Sequence, residues 1–422
     1  MPIIIFICIL SLLILVHELG HYLAAKKAGI RVEEFGLGLP PRIFGKKYGE
    51  TVYSLNALPF GGFVKLTGED AVEEGSTEET KNNTEIIRTE EKIEINIEEG
   101  TAVISEEKEE IIIEQRNSDV PFLPSDPKSF SIKTPWQRAG VLIAGVSMNI
   151  ILAVSIFYIF FLLNGFKTFY LPLLFDYKFK FGQVEEVNTL IGDIEEGSGA
   201  EESGLKIGEA IISIDGNKVN SVYEVRDQVS GKSDQEVELS LLDLTNPLSQ
   251  SERVVRVKPI TDKEGNSVLG VYLNKAVSIK YEKPLDKIFA GFMHSYNVLG
   301  YSFSTLGRII SLSVETKDIS PVSQSVSGPV GIYEVIKSIM NYGGDAVWLT
   351  ILDYIALMSL SLAVVNILPL PALDGGRVLF VLIEAIRGKR IDPNIEAEVH
   401  RIGMMFLLAF IILITLKDLF VR

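Results

Sequence analysis

The chain has 422 residues, of which 47% are hydrophobic, with a mean hydropathy of +0.26 and a formal net charge of −15. That apolar balance excludes an ordinary soluble enzyme, while the length accommodates a membrane core and at least one soluble domain. The single cysteine, Cys8, excludes an intramolecular disulfide and reads as a small apolar packing residue.

The first element is an apolar run from Ile3 to Val16 that leads directly into HELGH. Its start, Met1-Pro2, lacks the basic residues of a signal peptide, and the basic pair Lys26-Lys27 follows the run instead. Residues 2–25, 139–163, 346–370 and 402–420 are each close to the ~20 residues needed to cross ~30 Å of hydrocarbon. Between the first two, residues 31–67 read as short strands punctuated by glycine and proline, a β-hairpin. Residues 69–120 hold 18 acidic side chains against five basic ones, which is −13 of the chain's −15. The acidity is therefore one insert, repellent to nucleic-acid phosphate. Ile93, Ile95 and Ile97 alternate there with polar residues, so a small solvated β-element on the cytoplasmic side is expected. Residues 288–312 are apolar on one side and carry His294, Ser295, Asn297, Thr305 and Arg308 on the other, the pattern of an amphipathic helix at the interface. His294 there and His400 at the start of the last span stand at no ligand spacing and read as surface or interface residues.

The chemistry begins at HELGH. On a helix of about 3.6 residues per turn, positions four apart lie roughly 40° from one another, so His17 and His21 offer imidazoles to one zinc ion, with Glu18 beside them as base. An ionisable group at bilayer depth costs about 2.5–3.5 kcal/mol at a helix centre, so such groups mark protected functional cavities. A third ligand is found in SLSLAVVNILPLPALDGGR, where Pro369, Pro371, Gly375 and Gly376 break a hydrophobic helix and Asp374 is the only acid. Two histidines and one aspartate leave a fourth zinc position open, the catalytic pattern. The histidines and Asp374 both lie towards the C-terminal ends of their apolar segments. They meet at one depth only if an even number of crossings separates the starts of those segments, which favours the interfacial reading of residues 288–312. Basic residues flanking the spans, among them Lys26, Lys27, Arg31, Arg138, Arg387 and Arg390, place those flanks in the cytoplasm. Both termini and residues 164–345 then lie outside it, in a cell (inner or plasma) membrane, with the active site towards the cytoplasmic side.

These residues resemble the site-2 proteases, in particular the bacterial RseP-like regulators. HELGH and NILPLPALDGG match that family's two signatures, and the order of elements between them also fits. The resemblance implies zinc held by His17, His21 and Asp374, Glu18 as general base, and hydrolysis of a peptide bond within the membrane. It implies that Asn366 and Pro369 help to hold the extended substrate. Residues 31–67 resemble the family's membrane re-entrant β-hairpin, whose edge pairs with substrate backbone. Residues 181–275 resemble one bacterial PDZ domain, through Gly197-Ser198-Gly199-Ala200, Ser203-Gly204-Leu205, Gly208-Glu209 and the Asp215-Gly216 turn. That domain either binds a peptide or blocks bulky substrates. Residues 327–332 match a Ser-Gly-Pro-Val-Gly-Ile motif that reads as a rigid turn. Met148-Asn149 match an Ala-Gly-Pro-x-x-Asn stretch in which Val146 here replaces the proline.

The expected fold is a polytopic α-helical membrane protein with about four transmembrane helices, a re-entrant β-hairpin and one extracytoplasmic PDZ domain. Its parts are a first helix at 1–27, the hairpin region at 28–68, the acidic insert at 69–128, a second helix at 129–165 and the PDZ domain at 181–275. An interfacial helix and connector follow at 284–344, then a third transmembrane segment at 345–387 and a fourth at 388–422. The expected partners are the lipid bilayer, single-span membrane substrates such as anti-sigma-type regulators or remnant signal peptides, and a PDZ peptide ligand, with no nucleic acid. The competing reading is a catalytically silent PDZ scaffold, which has no physical need of a ligand set at bilayer depth.

Overall fold

The computed structural model describes residues 1–69, 87–92, 95–98, 101–104, 108–113, 126–233, 235–244, 251–262, 265–342 and 344–420. In chain order it opens with helix α1 (Pro2–Lys27), the long strands β1 (Val32–Tyr48) and β2 (Thr51–Leu66), and four short strands in the acidic insert, β3 (Ile87–Lys92), β4 (Ile95–Glu98), β5 (Thr101–Ile104) and β6 (Lys108–Ile113). Helix α2 (Pro135–Leu163) leads into β7 (Leu171–Pro172), β8 (Gln183–Ile194), α3 (Gly199–Glu202), β9 (Glu209–Ile214), β10 (Asn217–Lys218) and α4 (Val222–Val229). Strands β11 (Val237–Asp243), β12 (Glu252–Val257), β13 (Ile260–Thr261), β14 (Ser267–Val268) and β15 (Val271–Lys280) follow. The rest is helical: α5 (Pro284–Ile288), α6 (Ala290–Thr316), α7 (Ser320–Ser325), α8 (Pro329–Tyr342), α9 (Val347–Ile367), α10 (Asp374–Arg387) and α11 (Pro393–Phe420). Among the described residues α1, α2, α9 and α11 are long and apolar enough to cross a membrane, and α6 is not among them. The chain divides into two compact units, residues 1–17, 146–366 and 407–422, and residues 18–145 and 367–406.

In the second unit the sequence leads one to expect a simple hairpin at 31–67, and the structure has more. Phe35 pairs with both Val64 and Tyr53, and Gly36 with both Phe63 and Ser54, while Arg42 faces Asn56 and Tyr48 faces Thr51. Each long strand therefore doubles back, at Pro40-Pro41 and at Pro59, where a residue without an N–H interrupts the ladder. The result is four segments in the order 42–48, 51–58, 32–39, 61–66, with the two outer pairs antiparallel and the central segments 51–58 and 32–39 running side by side in the same direction. Gly38 has φ +80°, and a Cβ there would stand 2.5 Å from the carbonyl oxygen of Leu58, so only glycine fits the inner bend. The sheet leaves Leu39, Ile43, Phe44, Leu55 and Leu58 exposed, so its surface is apolar as well as hydrogen-bonded within the ribbon. Its β1–β2 turn is tied down by Glu50, which accepts from Lys26 and Lys128 at 2.8 Å each. Lys128 and Lys26 hold the Glu50 carboxyl down at about 2, so this tie is complete above the ordinary glutamate range and is lost as pH falls through it towards 2.

The acidic insert leaves this sheet from a closed base. Phe130 N–H donates to Thr67 O, Arg31 N–H to Lys128 O, and Arg31 pairs with Asp126 at 2.9 Å. Within the insert β3 pairs with β6 and β4 with β5, both antiparallel. Ile95 and Ile97 fall in β4, and Ile93 lies outside the described residues. The unit's core joins Ala25, Ile30 and Val32 to Leu66, Phe130, Val141 and Leu142, and to Val378 and Val381 of α10. Beside it Arg138, 5% exposed, pairs with Glu384 at 2.5 Å.

In the first unit Ile9 and Leu13 of α1 pack on Ile336 and Ile351, and Phe157, Phe160 and Phe161 of α2 on Tyr281, Ala290 and Leu360. An antiparallel sheet runs in the order β12-β11-β9-β8-β15-β7, with β10 on β9. Ile191, Ile211, Ile214, Val237, Leu239, Leu241 and Val257 fill its core with α3 and α4 beside it. Ser198 and Ser221 cap those helices by accepting from Glu201 N–H and Glu224 N–H. Asp215 and Gly216, both at positive φ, make the tight turn from β9 to β10. The sheet extends beyond residues 181–275, to Lys280 and back to Leu171–Pro172.

His294 is a correction: it is 7% exposed, not a surface or interface residue. Phe157 and Phe161 meet its ring edge-on at 4.7 and 5.2 Å. The polar side of α6, with His294, Ser295 and Asn297, is its packed side, and Phe292, Phe303, Leu306, Ile310 and Val314 are exposed. Polarity in that stretch marks a protein contact rather than water, and Gly291 permits it, since a Cβ there would stand 2.3 Å from Val154 O. Residues 329–332, expected as a rigid turn, instead open helix α8, and Asp418 near the end of α11 caps that first helical turn: its carboxylate accepts from Gly328 N–H at 2.8 Å and Gly331 N–H at 3.0 Å.

Two stability outcomes follow. Glu384→Ala strands the buried Arg138 guanidinium and is expected to cost roughly 3–5 kcal/mol, read as a lower unfolding temperature in detergent, with Arg138→Met added to it recovering most of the loss. Leu239→Ala is expected to cost about 2–5 kcal/mol, read as faster proteolysis within the sheet of the first unit while α1 and α2 stay protected.

Candidate metal centre

Helix α1 carries His17, Glu18 and His21 on consecutive turns, and both imidazoles are buried, at 6% and 9% exposure. His21 Nδ1 lies 2.9 Å from the carbonyl oxygen of Val141 on α2. A carbonyl only accepts, so the neutral ring holds its proton on Nδ1 and presents the Nε2 lone pair. His21 Nε2 is 3.3 Å from Asp374 Oδ2. His17 Nδ1 lies 3.3 Å from the side-chain amide of Asn149, which is fully buried. One ligand atom from each of His17, His21 and Asp374 can be chosen so that all lie within 4.8 Å of one another.

Asp374 reaches this position because the chain breaks between α9 and α10. The connection bends through Ala372 at φ +72°, and Ala372 N–H donates to His400 Nδ1 at 2.9 Å. His400 is thus an anchor of the loop that precedes Asp374 and not an idle surface residue. Asp374 then opens α10, and the two glycines after it have a steric reason. A Cβ at Gly375 would stand 2.2 Å from Leu368 O, and one at Gly376 2.2 Å from Leu370 O, so the first turn of the helix lies directly on the loop's carbonyls. Gly403 of α11 allows an equally close approach to Pro371.

A cavity of about 230 Å³ adjoins these groups, lined by Glu18, His21, Asp374 and Arg377 together with Phe63, Val64 and Leu66 from the last segment of the sheet. Glu18 is half-buried and faces that segment; a Cβ at Gly62 would lie 3.7 Å from Glu18 Cγ and 2.8 Å from Gly36 O. Among the described residues the 61–66 segment pairs on one side only, with 32–39. Asn366, half-buried at the end of α9, and Pro369, exposed in the loop, are not among the residues lining the cavity.

Sequence reasoning missed the ion pair of Arg377 with Glu69. It ties α10, three residues past Asp374, to the end of the sheet, in a wall shared with a second cavity of about 330 Å³. A basic residue directly after the LDGG run was the available signal, but nothing in the order of residues pairs it with Glu69. Arg377→Glu is expected to lower kcat/KM for peptide cleavage about tenfold, roughly 1.4 kcal/mol, and adding Glu69→Arg to restore most of it.

The donor set suits zinc: two imidazoles and one carboxylate, with a base and a cavity alongside, is the composition of a catalytic rather than a structural site. The comparisons agree. Regulator of sigma-W protease RasP of Bacillus subtilis is 31% identical over 444 residues, spanning 98% of this chain and 97% of that protein. Zinc metalloprotease RasP of Geobacillus kaustophilus is 29% identical, spanning 98% of this chain and 96% of that protein. Among solved structures, the PDZ domain of the SdrC-like protein from Listeria monocytogenes matches 23% of this chain and 93% of its own, at 21% identity and a TM-score of 0.18. The model of Peptidase family M50 matches residues 5–410, so this chain belongs to that family and is a multi-pass membrane zinc metalloprotease of the site-2 type.

Proposed function

We propose that the protein cleaves single-span membrane proteins within the bilayer, with zinc held by His17, His21 and Asp374 and Glu18 as the general base. The observation that carries this is the convergence of the two α1 histidines and Asp374 next to a cavity into which Glu18 opens. When bound, zinc supplies Lewis-acid polarisation of the scissile carbonyl and of the attacking water. Glu18 takes the proton of that water as its oxygen attacks the carbonyl carbon, and returns it to the leaving amine. Asp374 balances charge at the metal, and the 61–66 segment offers backbone groups to an unwound substrate by strand addition. In the same reading Asn366 and Pro369 hold the extended chain beyond the cavity.

The regulatory name of the Bacillus subtilis relative supports a place in regulated intramembrane proteolysis, with anti-sigma-type proteins or remnant signal peptides as substrates. Residues 31–67 enter the membrane from the cytoplasmic side, which the exposed Ile43, Phe44 and Leu55 support. Residues 181–275 form a PDZ domain outside the cytoplasm, where both termini also lie; the basic flanks of the spans support this.

The test is cleavage of a single-span reporter by purified protein in detergent. Glu18→Gln is expected to lose at least about a hundredfold in rate while keeping its zinc, and a zinc chelator to abolish cleavage by wild type. Wild-type rates in Glu18→Gln would remove Glu18 from the role of base; full zinc content in His17→Ala would remove that ligand. Absence of both zinc and cleavage in wild type would leave a scaffold.

A further inference from the structure

The two histidines differ in what stands behind them. His21 Nδ1 faces a main-chain carbonyl, Val141 O, which can only accept. His17 Nδ1 faces Asn149, whose side chain can present either an acceptor or a donor. Asn149 is fully buried; its Nδ2 lies 3.3 Å from His17 Nδ1, and its Oδ1 has no hydrogen-bond partner. A buried amide oxygen with no donor is costly, about 1–3 kcal/mol, and calls for a reason. The backbone beneath it is fixed from another helix: Ser359 Oγ–H of α9 donates to Asn149 O at 2.8 Å.

The reason lies in which nitrogen of His17 carries the proton. With Nδ2 donating to Nδ1, the proton of the neutral ring sits on Nε2. A ring that ligates through Nε2 must instead carry its proton on Nδ1, which sets N–H against N–H across the 3.3 Å contact. A half-turn of the amide about χ2 removes that clash and keeps the shape of the side chain. It gives the orphaned Oδ1 the one donor it lacks.

We propose that Asn149 is a positioning residue for the metal centre: its Oδ1 accepts from His17 Nδ1–H and thereby commits Nε2 of His17 to the metal. The proposal rests on His17 being a ligand. Helix α2 then orients both imidazoles, His21 through the carbonyl of Val141 and His17 through the side chain of Asn149, eight residues further along. Partners of this kind fix a ligand's tautomer and ring plane, and their loss weakens metal binding by roughly 10–100-fold.

The experiment measures zinc affinity of the full-length protein in detergent, by competition with a chelating dye, for wild type, His17→Ala, Asn149→Leu and Asn149→Asp. The visible spectrum of each cobalt-substituted protein is recorded beside it. Asn149→Leu is expected to bind zinc about 10–100-fold more weakly and to shift the cobalt bands, whereas Asn149→Asp, which keeps an acceptor opposite Nδ1, stays within about threefold of wild type. Rescue by aspartate separates orientation of His17 from a mere packing role. Unchanged zinc affinity in Asn149→Leu, with affinity lost in His17→Ala, overturns the proposal and leaves the ligand assignment standing. Equal weakening by leucine and aspartate also overturns it, because the acceptor is then not what matters. Unchanged affinity in His17→Ala overturns the ligand assignment itself.

Discussion

An imidazole buried in an apolar helix must find a hydrogen-bond partner for whichever ring nitrogen is not engaged elsewhere, because neither lipid nor packed side chains supply one. In α1 that requirement falls on two rings a turn apart, and α2 answers it with Val141 O and Asn149. Much of the chain's local detail serves this arrangement. The glycines of LDGG let α10 begin hard against its own loop, His400 accepts from that loop at Ala372, and Arg377 ties the new helix to Glu69. Gly375 and Gly376, after the break at Pro369–Pro371, let α10 start close enough to its loop for Asp374 to stand 3.3 Å from His21.

The parts of this centre legible in the sequence are those set by helical period and by the rarity of charge in apolar runs. His17, Glu18 and His21 follow from spacing, and Asp374 from being the only acid in its broken helix. The four spans follow from length and apolarity in the same way. What the sequence left open depends on partners distant in the chain. Nothing local says that Glu69 meets Arg377 across 308 positions, or that Asn149 backs a histidine 132 positions earlier.

One reversal has its cause in the surroundings of α6. The polar residues of α6 suggested water on that face, yet His294 is enclosed by Phe157 and Phe161 and its neighbours serve hydrogen bonds: Ser295 donates to Gly291 O and Asn297 to Phe181 O. Beside a membrane the usual sign reverses. Lipid takes the apolar face and protein takes the polar one, so amphipathicity locates two sides without saying which is wet. The 31–67 hairpin folds further than its sequence announces, for a different reason. Alternation and prolines announce strands and bends, but not that 32–39 and 51–58 each carry a neighbour on both sides.

The four-segment sheet also brings a backbone edge to the cavity that Glu18 lines. Unwinding bares N–H and C=O groups that cost several kcal/mol each in hydrocarbon unless they are paired again. The backbone of residues 61–66 runs along this cavity with a β neighbour on one side only among the described residues, and Gly62 keeps side-chain bulk away from Glu18. An extended chain laid along this edge would recover those hydrogen bonds, whereas a helix has its backbone groups already paired and would gain none.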